Sequence, residues 1–583
     1  MPILRRAALA LVVPALAACA GSSGAPATTA VPAATPTPGA LPLKLDPRPT
    51  TAAITPADLM TRVYIFADDS MLGREAGTVG NVKGNAYIVR ELERLGLEPA
   101  GENGTYLQTV PMVRHALPDQ ASLAVDGQPL SRGSDWLPVP ALSAAFPFGG
   151  AFQGEAQVIY GGRAGDVASY PSPEQVRGRV VVLSARTTPD GQPTYNFWTQ
   201  AELARFRGAA AVAVTTLELT PPQIAAYFAE PQTMLAAPAP EAGTPFGLVV
   251  SRAAAARLLG ADPATLAPGA AGRTVSASLA YVNVPTDEPA QNVVAILPGS
   301  DPALRGQYVA IGAHNDHDGL AGTPVDHDSL RAFNTVMRPR GAEDSPGEPT
   351  PAERARIRAI LDSLRAVNPV RMDSVYNGAD DDGSGSMALL EIAENLAAMP
   401  TAPRRSTLFV WHTAEEKGLF GSEWYSEHPT VPRDSIVAGI NIDMIGRAWP
   451  DDLPEAREGG NYVQLIGSRR LSTQLGELVE SVNRDRGHAF RLDYSYDAEG
   501  HPDQYYCRSD HYNYARWGIP VVFFSTGGHR DYHQLTDEPQ YLNYEHFARV
   551  TRLIRDVVVA TADLPARPVV DGPKPDPYGA CRQ

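Results

Sequence analysis

The chain has 583 residues, 44% hydrophobic and 20% charged, which is the composition of a globular protein with room for several cores. Its 49 basic and 65 acidic residues give a formal charge of −16. That balance argues against a nucleic-acid partner and offers no attraction to anionic lipid.

Arg5 and Arg6 precede an apolar run from Ala7 to Leu16, followed by Ala17-Ala18-Cys19. A basic start, a short apolar middle and small residues before a cut make residues 1–18 a secretory signal. The run is too short to span a bilayer. Leu16-Ala17-Ala18-Cys19 resembles a bacterial lipobox. That resemblance implies cleavage before Cys19, lipidation of its thiol, and a lipid-anchored place in the bacterial cell envelope, periplasmic or on the outer-membrane face. Ordinary secretion with a chance cysteine is the alternative. Residues 19–53 are rich in Ala, Pro, Thr, Gly and Ser and read as a flexible tether. In an oxidising compartment Cys507 and Cys581 either pair or remain as two buried thiols.

Pro56 to about Val113 reads as a helical piece, with a helix over Asn81–Leu95 that Gly96 ends. From about 140 to 282 the texture changes to short β-rich runs: Ala156–Tyr160, Val180–Leu183, Ala209–Val214, Gly247–Val250 and Val275–Val282. Helical patterns lie at Tyr195–Phe206 and Ser251–Leu259. This stretch contains no His and is set off as a separate domain, 140–282. From Ala290 onward strands and helices alternate. The strands are Asn292–Leu297, Tyr308–Ala313, Thr407–His412, Ile436–Ile445, Tyr462–Ile466 and Ile519–Phe524. Helices follow at Met387–Ala398, Leu471–Arg486 and Tyr544–Ala560. The predicted fold is α/β, an open and mostly parallel sheet sandwiched by helices. It is built from 54–139 and 283–563, with 564–583 as a C-terminal tail. Residues 320–376 interrupt it with a helical pattern at Pro351–Ala366, a connection long enough for a lid or a disordered insert.

The chemistry gathers at strand ends, where open α/β sheets place their sites. Asn377-Gly378-Ala379-Asp380-Asp381-Asp382-Gly383-Ser384-Gly385 packs three like charges into a glycine-bounded turn. A cation site or a solvated loop each explains it alone. Tyr308–Ala313 runs into His314-Asn315-Asp316-His317-Asp318, Thr407–His412 into Glu415-Glu416, Ile436–Ile442 into Asp443, and Ile519–Phe524 into His529-Arg530-Asp531-Tyr532-His533. Two His with several carboxylates and no Cys suit zinc, manganese or cobalt at a hydrolytic centre. Two metals sharing a carboxylate clamp an attacking hydroxide and the substrate oxygen together. Neighbouring Glu415 and Glu416 point opposite ways in an extended segment, so one can bind metal while the other handles a proton. In His314-Asn315-Asp316 the Asp is placed to orient the His.

Five motifs carry a resemblance. They are Gly312-Ala313-His314-Asn315-Asp316, Gly378–Gly385, Ala414-Glu415-Glu416-Lys417-Gly418-Leu419-Phe420-Gly421-Ser422, Asn441-Ile442-Asp443-Met444-Ile445-Gly446, and Tyr532-His533-Gln534-Leu535-Thr536-Asp537. Together they resemble the co-catalytic di-zinc aminopeptidase family, which includes secreted leucine aminopeptidases, glutamate carboxypeptidases and glutaminyl cyclases. The match covers roughly 290–318 and 377–560. The layout of 140–282 resembles a protease-associated domain inserted into such a zinc exopeptidase fold.

The resemblance implies two zinc ions. His314 and Asp443 hold one, Glu416 and His533 the other, and Asp381 bridges. Glu415 is the general base and acid, Asp316 orients His314, and Tyr532 either stabilises the oxyanion or merely packs. Asp382 stands where many relatives carry Asn, and the 320–376 insertion is long for the family. Within it, Asp326-His327-Asp328 is either an extra cation site or a solvated loop. His412 reads as core or supporting, and Ser509-Asp510-His511 lacks the nucleophile elbow a serine hydrolase needs. The implied activity is an envelope-anchored exopeptidase acting on peptides, most simply an aminopeptidase. The alternatives are a carboxypeptidase, a glutaminyl cyclase, and a non-catalytic binding protein.

Overall fold

The computed structural model describes residues 41–140, 150–188, 190–194, 202, 204–236, 242–367, 369–451 and 460–583. The signal segment, Cys19, most of the tether and the first part of the Tyr195–Phe206 pattern lie outside these residues. The chain divides into two compact units, 111–286 with 578–580, and a second holding the described residues up to Val110, then 287–577 and 581–583.

The first unit is wider than the 140–282 segment marked off by composition. Met112–Ala116 pairs with Gln232–Leu235 and Val282–Pro285. Ser122–Val125 pairs with Ala271–Leu279, and Trp136–Pro138 with Phe246–Val250. These hydrogen-bond ladders draw residues 111–139 into an eight-stranded and a three-stranded sheet. The buried Val and Leu of Val180–Ser184, Ala211–Thr215 and Phe246–Val250 fill its cores.

The second unit is built on a nine-stranded sheet. Its centre is parallel: Ser406–His412, Tyr308–His314, Ile436–Ile442 and Val521–Ser525 run side by side. Every residue of Ser406–His412 and Ile436–Ile442 is buried, as strands covered on both faces must be. The flanks are antiparallel. Ala290–Leu297 runs against Ser406–His412, and Tyr462–Ile466 against Val521–Ser525. The sheet is therefore mixed: the strands that carry the motifs run parallel, and so does the short edge pair Tyr462–Ile466 and Arg491–Asp493.

The helix Gly383–Ala397 packs into this core with Met387, Leu389, Leu390, Ile392 and Leu396 buried. Two of its polar residues are satisfied by cations from the N-terminal helices Pro56–Phe66 and Val79–Leu95. Glu391 lies 2.7 Å from buried Arg62, and Glu394 lies 3.1 Å from Arg94. These ion pairs pin the helix that follows the triple-Asp turn.

The described residues of the insertion form regular elements. Leu320–Asp326 pairs with Met372–Val375, and the helices His327–Met337 and Pro351–Arg365 lie between them. Thr350 and Glu353 form a reciprocal capping box at the second helix, a signal that was readable in the sequence. Cys507 and Cys581 form a disulfide.

Candidate metal centre

The three consecutive aspartates have three different tasks. Asp382 caps the helix Gly383–Ala397: its carboxylate accepts from Gly385 N at 2.8 Å, from Met444 N at 3.2 Å and from His314 N at 3.1 Å. A Cβ on Gly385 would come within 2.4 Å of that carboxylate, so the glycine is needed for the close approach. Asp380 turns the other way, accepting from Gly446 N at 2.6 Å and lying 3.1 Å from His529 Nε2. Asp381 faces between two histidines. Its Oδ1 is 3.0 Å from His314 Nε2, and its Oδ2 is 3.1 Å from His533 Nε2.

Each of those imidazoles has a further carboxylate beside it. His314 Nε2 lies 3.7 Å from Asp443 Oδ1, and His533 Nε2 lies 3.0 Å from Glu416 Oε2. The structure thus brings together all five expected ligands, arranged as two groups that share Asp381. Asp443 is held by Ser509 Oγ at 2.8 Å, which itself accepts from Asn441 Nδ2 at 2.8 Å. Glu415 lines the same cleft as Asp381, Glu416 and Asp443.

The segment after the Tyr308–His314 strand supplies the supports. Asp316 accepts from Glu415 N at 3.1 Å. Its carboxylate is 3.6 Å from His314 Nδ1, while its main-chain carbonyl is closer, at 3.2 Å. At these distances the carbonyl, not the carboxylate, is what orients the ring. His317 Nδ1 lies 2.6 Å from Glu416 Oε1, and Asp318 Oδ2 lies 3.2 Å from His533 Nδ1. Sequence reasoning assigned no role to these two residues. Their place one and two positions after Asp316, at a strand end already dense in ligands, was the available signal.

Arg74 was also missed. Fully buried, it donates to Asn377 O at 2.6 Å and Gly378 O at 2.9 Å, and so holds the turn that presents Asp381. Asp537 holds the same turn from the other side through Asp380 N and Asp381 N, at 2.9 and 3.1 Å.

The electrostatics follow from packing carboxylates out of water. Burial pushes the Glu415 carboxyl well above its ordinary range, and repulsion from Glu416, Asp443 and Asp510 adds to this. Burial disfavours charge on His314 and His533. The surrounding carboxylates outweigh it and hold both rings well above the usual histidine value. A cluster that draws protons onto buried imidazoles is short of positive charge. Asp443 Oδ1 and Asp381 Oδ2 are buried and accept no hydrogen bond. Uncompensated carboxylate oxygens aimed at facing imidazoles are what a pair of divalent cations would satisfy. Imidazole and carboxylate ligand atoms also group closely in this region: His314 with Asp381 and Glu416, His314 with Asp382 and Asp443, and Asp318 with Glu416 and His533.

The cleft over this centre is small, with about 60 Å³ of room for water-sized groups. Besides the carboxylates it is lined by Met444, Tyr505, Phe523, Arg508, Tyr532 and Glu343 from the insertion. Tyr532 packs against His533 with ring centroids 4.2 Å apart and planes tilted by 43°, and accepts from Arg508 at its hydroxyl.

Other candidates are occupied elsewhere. Asp326 caps the helix His327–Met337 and pairs with Arg365, and His327 lies 3.1 Å from Glu538. His412 bonds Tyr514 Oη at 3.2 Å, and burial lowers its pKa to about 3, making it a neutral core histidine. Arg447 pairs with Asp531 and Asp537, Arg469 with Glu480, and Arg530 with Asp451.

Residues 292–558 match Peptidase family M28. Aminopeptidase Y of Saccharomyces cerevisiae is 29% identical over 208 residues, 33% of this chain and 35% of that one. Leupeptin-inactivating enzyme 1 of Streptomyces exfoliatus is 40% identical over 105 residues, 16% of this chain and 24% of that one. The matched stretches thus span about a third and a quarter of those relatives. The solved structure of a zinc aminopeptidase from Bacillus subtilis covers 87% of this chain and 95% of its own, with 16% identity and a TM-score of 0.44. The 292–558 segment that matches peptidase family M28 carries all five motifs and fits the co-catalytic zinc aminopeptidase family.

Proposed function

We propose that this chain is a zinc-dependent aminopeptidase that releases N-terminal residues from peptides. One observation carries the reading: a single carboxylate, Asp381, spans two imidazoles that each face a further carboxylate. The donor set of nitrogen and oxygen without sulfur fits zinc. His314, Asp381 and Asp443 would hold one ion, and His533, Glu416 and Asp381 the other. When bound, such a pair polarises a scissile carbonyl and lowers the pKa of a water.

The chain's own groups do the rest. Glu415 takes a proton from the attacking water and delivers it to the leaving amine nitrogen. Its main-chain N–H on Asp316 sets its place. The Tyr532 hydroxyl donates to the carbonyl oxygen as charge grows there.

An N-terminal amine fits this cleft better than a C-terminal carboxylate. Glu343, Asp381, Glu415, Glu416 and Asp443 line it, and its cation, Arg508, is already paired with Glu343. A carboxypeptidase needs a cation left for its substrate. A glutaminyl cyclase reading would require one metal per chain.

The test is metal analysis of the purified protein together with hydrolysis of aminoacyl-anilides. Two zinc ions per chain and amide hydrolysis support the reading. Lack of tightly held metal and of hydrolysis after zinc is restored would end it.

The lipobox-like start supports a cell-envelope location on a Cys19 lipid anchor, and the Cys507–Cys581 disulfide suits an oxidising compartment. The β-rich unit is read as a protease-associated domain. Palmitate labelling that persists in Cys19→Ser would refute the anchor.

A further inference from the structure

We propose that the turn Gly341–Glu343 of the insertion is a positioning device for Tyr532, with Glu343 acting on the reaction through Arg508. The inference rests on the reading of Tyr532 as the donor that meets the developing oxyanion. It adds a role for the insertion, which the motifs alone leave as a cover.

The turn grips Tyr532 at both ends. At the main chain, Ala342 N donates to Tyr532 O at 3.0 Å. Gly341 has φ +60 and lies so close that a Cβ there would sit 2.4 Å from Tyr532 O and 2.8 Å from Tyr532 N. Only a glycine allows both that backbone conformation and that approach. At the far end, Glu343 Oε1 accepts from Arg508 Nη2 at 2.5 Å, and the same nitrogen donates to Tyr532 Oη at 3.2 Å. Glu343, Arg508 and Tyr532 all line the cleft that holds Asp381, Glu415 and Asp443.

The chemistry follows from hydrogen-bond capacity. A phenol oxygen that accepts from a guanidinium keeps its own proton for another acceptor. With Arg508 on one side, the O–H of Tyr532 is left to a carbonyl oxygen bound in the cleft. Arginine is long and loses that geometry unless its fork is held, and Glu343 holds it. The neighbouring Tyr505 ring, 5.5 Å from the guanidinium carbon, adds a second wall. The insertion therefore reaches the site through a chain of three side chains and one main-chain bond.

The experiment compares wild type, E343A, E343Q, Y532F and the double variant Y532F/E343A as full-length, zinc-loaded proteins on an aminoacyl-anilide. E343A should lower kcat about tenfold, a fraction of the roughly 10²–10³ that loss of an oxyanion donor costs, with KM and zinc content little changed. E343Q keeps an acceptor for Arg508 and should recover most of the rate. In the Y532F background E343A should cost almost nothing more, because coupled residues are not additive. An E343A protein with wild-type kcat, or a loss that remains in full on top of Y532F, overturns the proposal. Should E343A fail to fold, R508K reads the same link and must show the same non-additivity with Y532F. A wild-type protein without amide hydrolysis removes the enzyme reading itself and this inference with it, an outcome distinct from an active enzyme indifferent to Glu343.

Discussion

Asp381 places its two carboxylate oxygens 3.0 Å from His314 Nε2 and 3.1 Å from His533 Nε2, so one side chain joins two strand-end segments more than two hundred residues apart. Its removal should therefore act on both halves of the centre. Asp381→Ala is expected to lose bound zinc as well as turnover. Glu415→Gln should keep its zinc and lose about 10²–10⁴ in kcat, the usual worth of a general acid–base group. Zinc content measured beside kcat separates the two; equal zinc loss in both variants would contradict the assigned roles.

His317 and Asp318 act on the ligands of one side only. His317 Nδ1 is 2.6 Å from Glu416, and Asp318 is 3.2 Å from His533 Nδ1. Groups that orient ligands typically contribute 10–100-fold in metal affinity. His317→Ala should weaken the second zinc by about that factor and leave the first nearly unchanged, as read by chelator titration. Equal weakening of both would place His317 outside this role.

Glu538 ties the insertion to the segment that carries His533. It pairs with Arg371 and lies 3.1 Å from His327. Burial alone would raise its carboxyl, but those two partners win and hold it down at about 2. A folded-state pKa below the unfolded value means the contribution is present above about pH 4.5 and lost as pH falls toward 2. The shift corresponds to roughly 3 kcal/mol. Glu538→Gln should be less stable at neutral pH and show a flatter loss of stability between pH 4.5 and 2. Urea midpoints across that range check it; identical slopes would count against it.

The Cys507–Cys581 disulfide closes a span of 74 residues next to Arg508. Chain-entropy reasoning gives such a loop about 4 kcal/mol as an upper figure. Cys507→Ser with Cys581→Ser should lower the Tm while zinc stoichiometry stays at its wild-type level. An unchanged Tm would show that packing alone holds the C-terminal segment.

Much of this architecture was legible in the sequence, and for a physical reason. The central strands are buried on both faces, so they read as unbroken apolar runs such as Tyr308–Ala313 and Val521–Phe524. Each empties into polar residues where the sheet ends, and His314, Glu416, Asp443 and His533 lay at those transitions. The flanks were less legible. Whether Ala290–Leu297 runs parallel or antiparallel to its neighbour depends on connections, not on composition. The boundary at Pro111 was missed because Met112–Ala116 and Ser122–Val125 are short strands whose partners lie over a hundred residues away. The insertion hid its ribbon for the same reason: Leu320–Asp326 gains its meaning only from Met372–Val375. Arg74 and Asp537 hold the triple-Asp turn through main-chain atoms, which no side-chain pattern announces.

The central claim is a pair of cations bridged by Asp381, and the most direct measurement is anomalous scattering at the zinc edge from crystals of the zinc-loaded protein. The account predicts two peaks about 3.5–4 Å apart, one against His314 and Asp443, the other against Glu416 and His533, with Asp381 touching both. Zinc bound away from these residues, or a lone peak that leaves Asp381 uncoordinated, would contradict it.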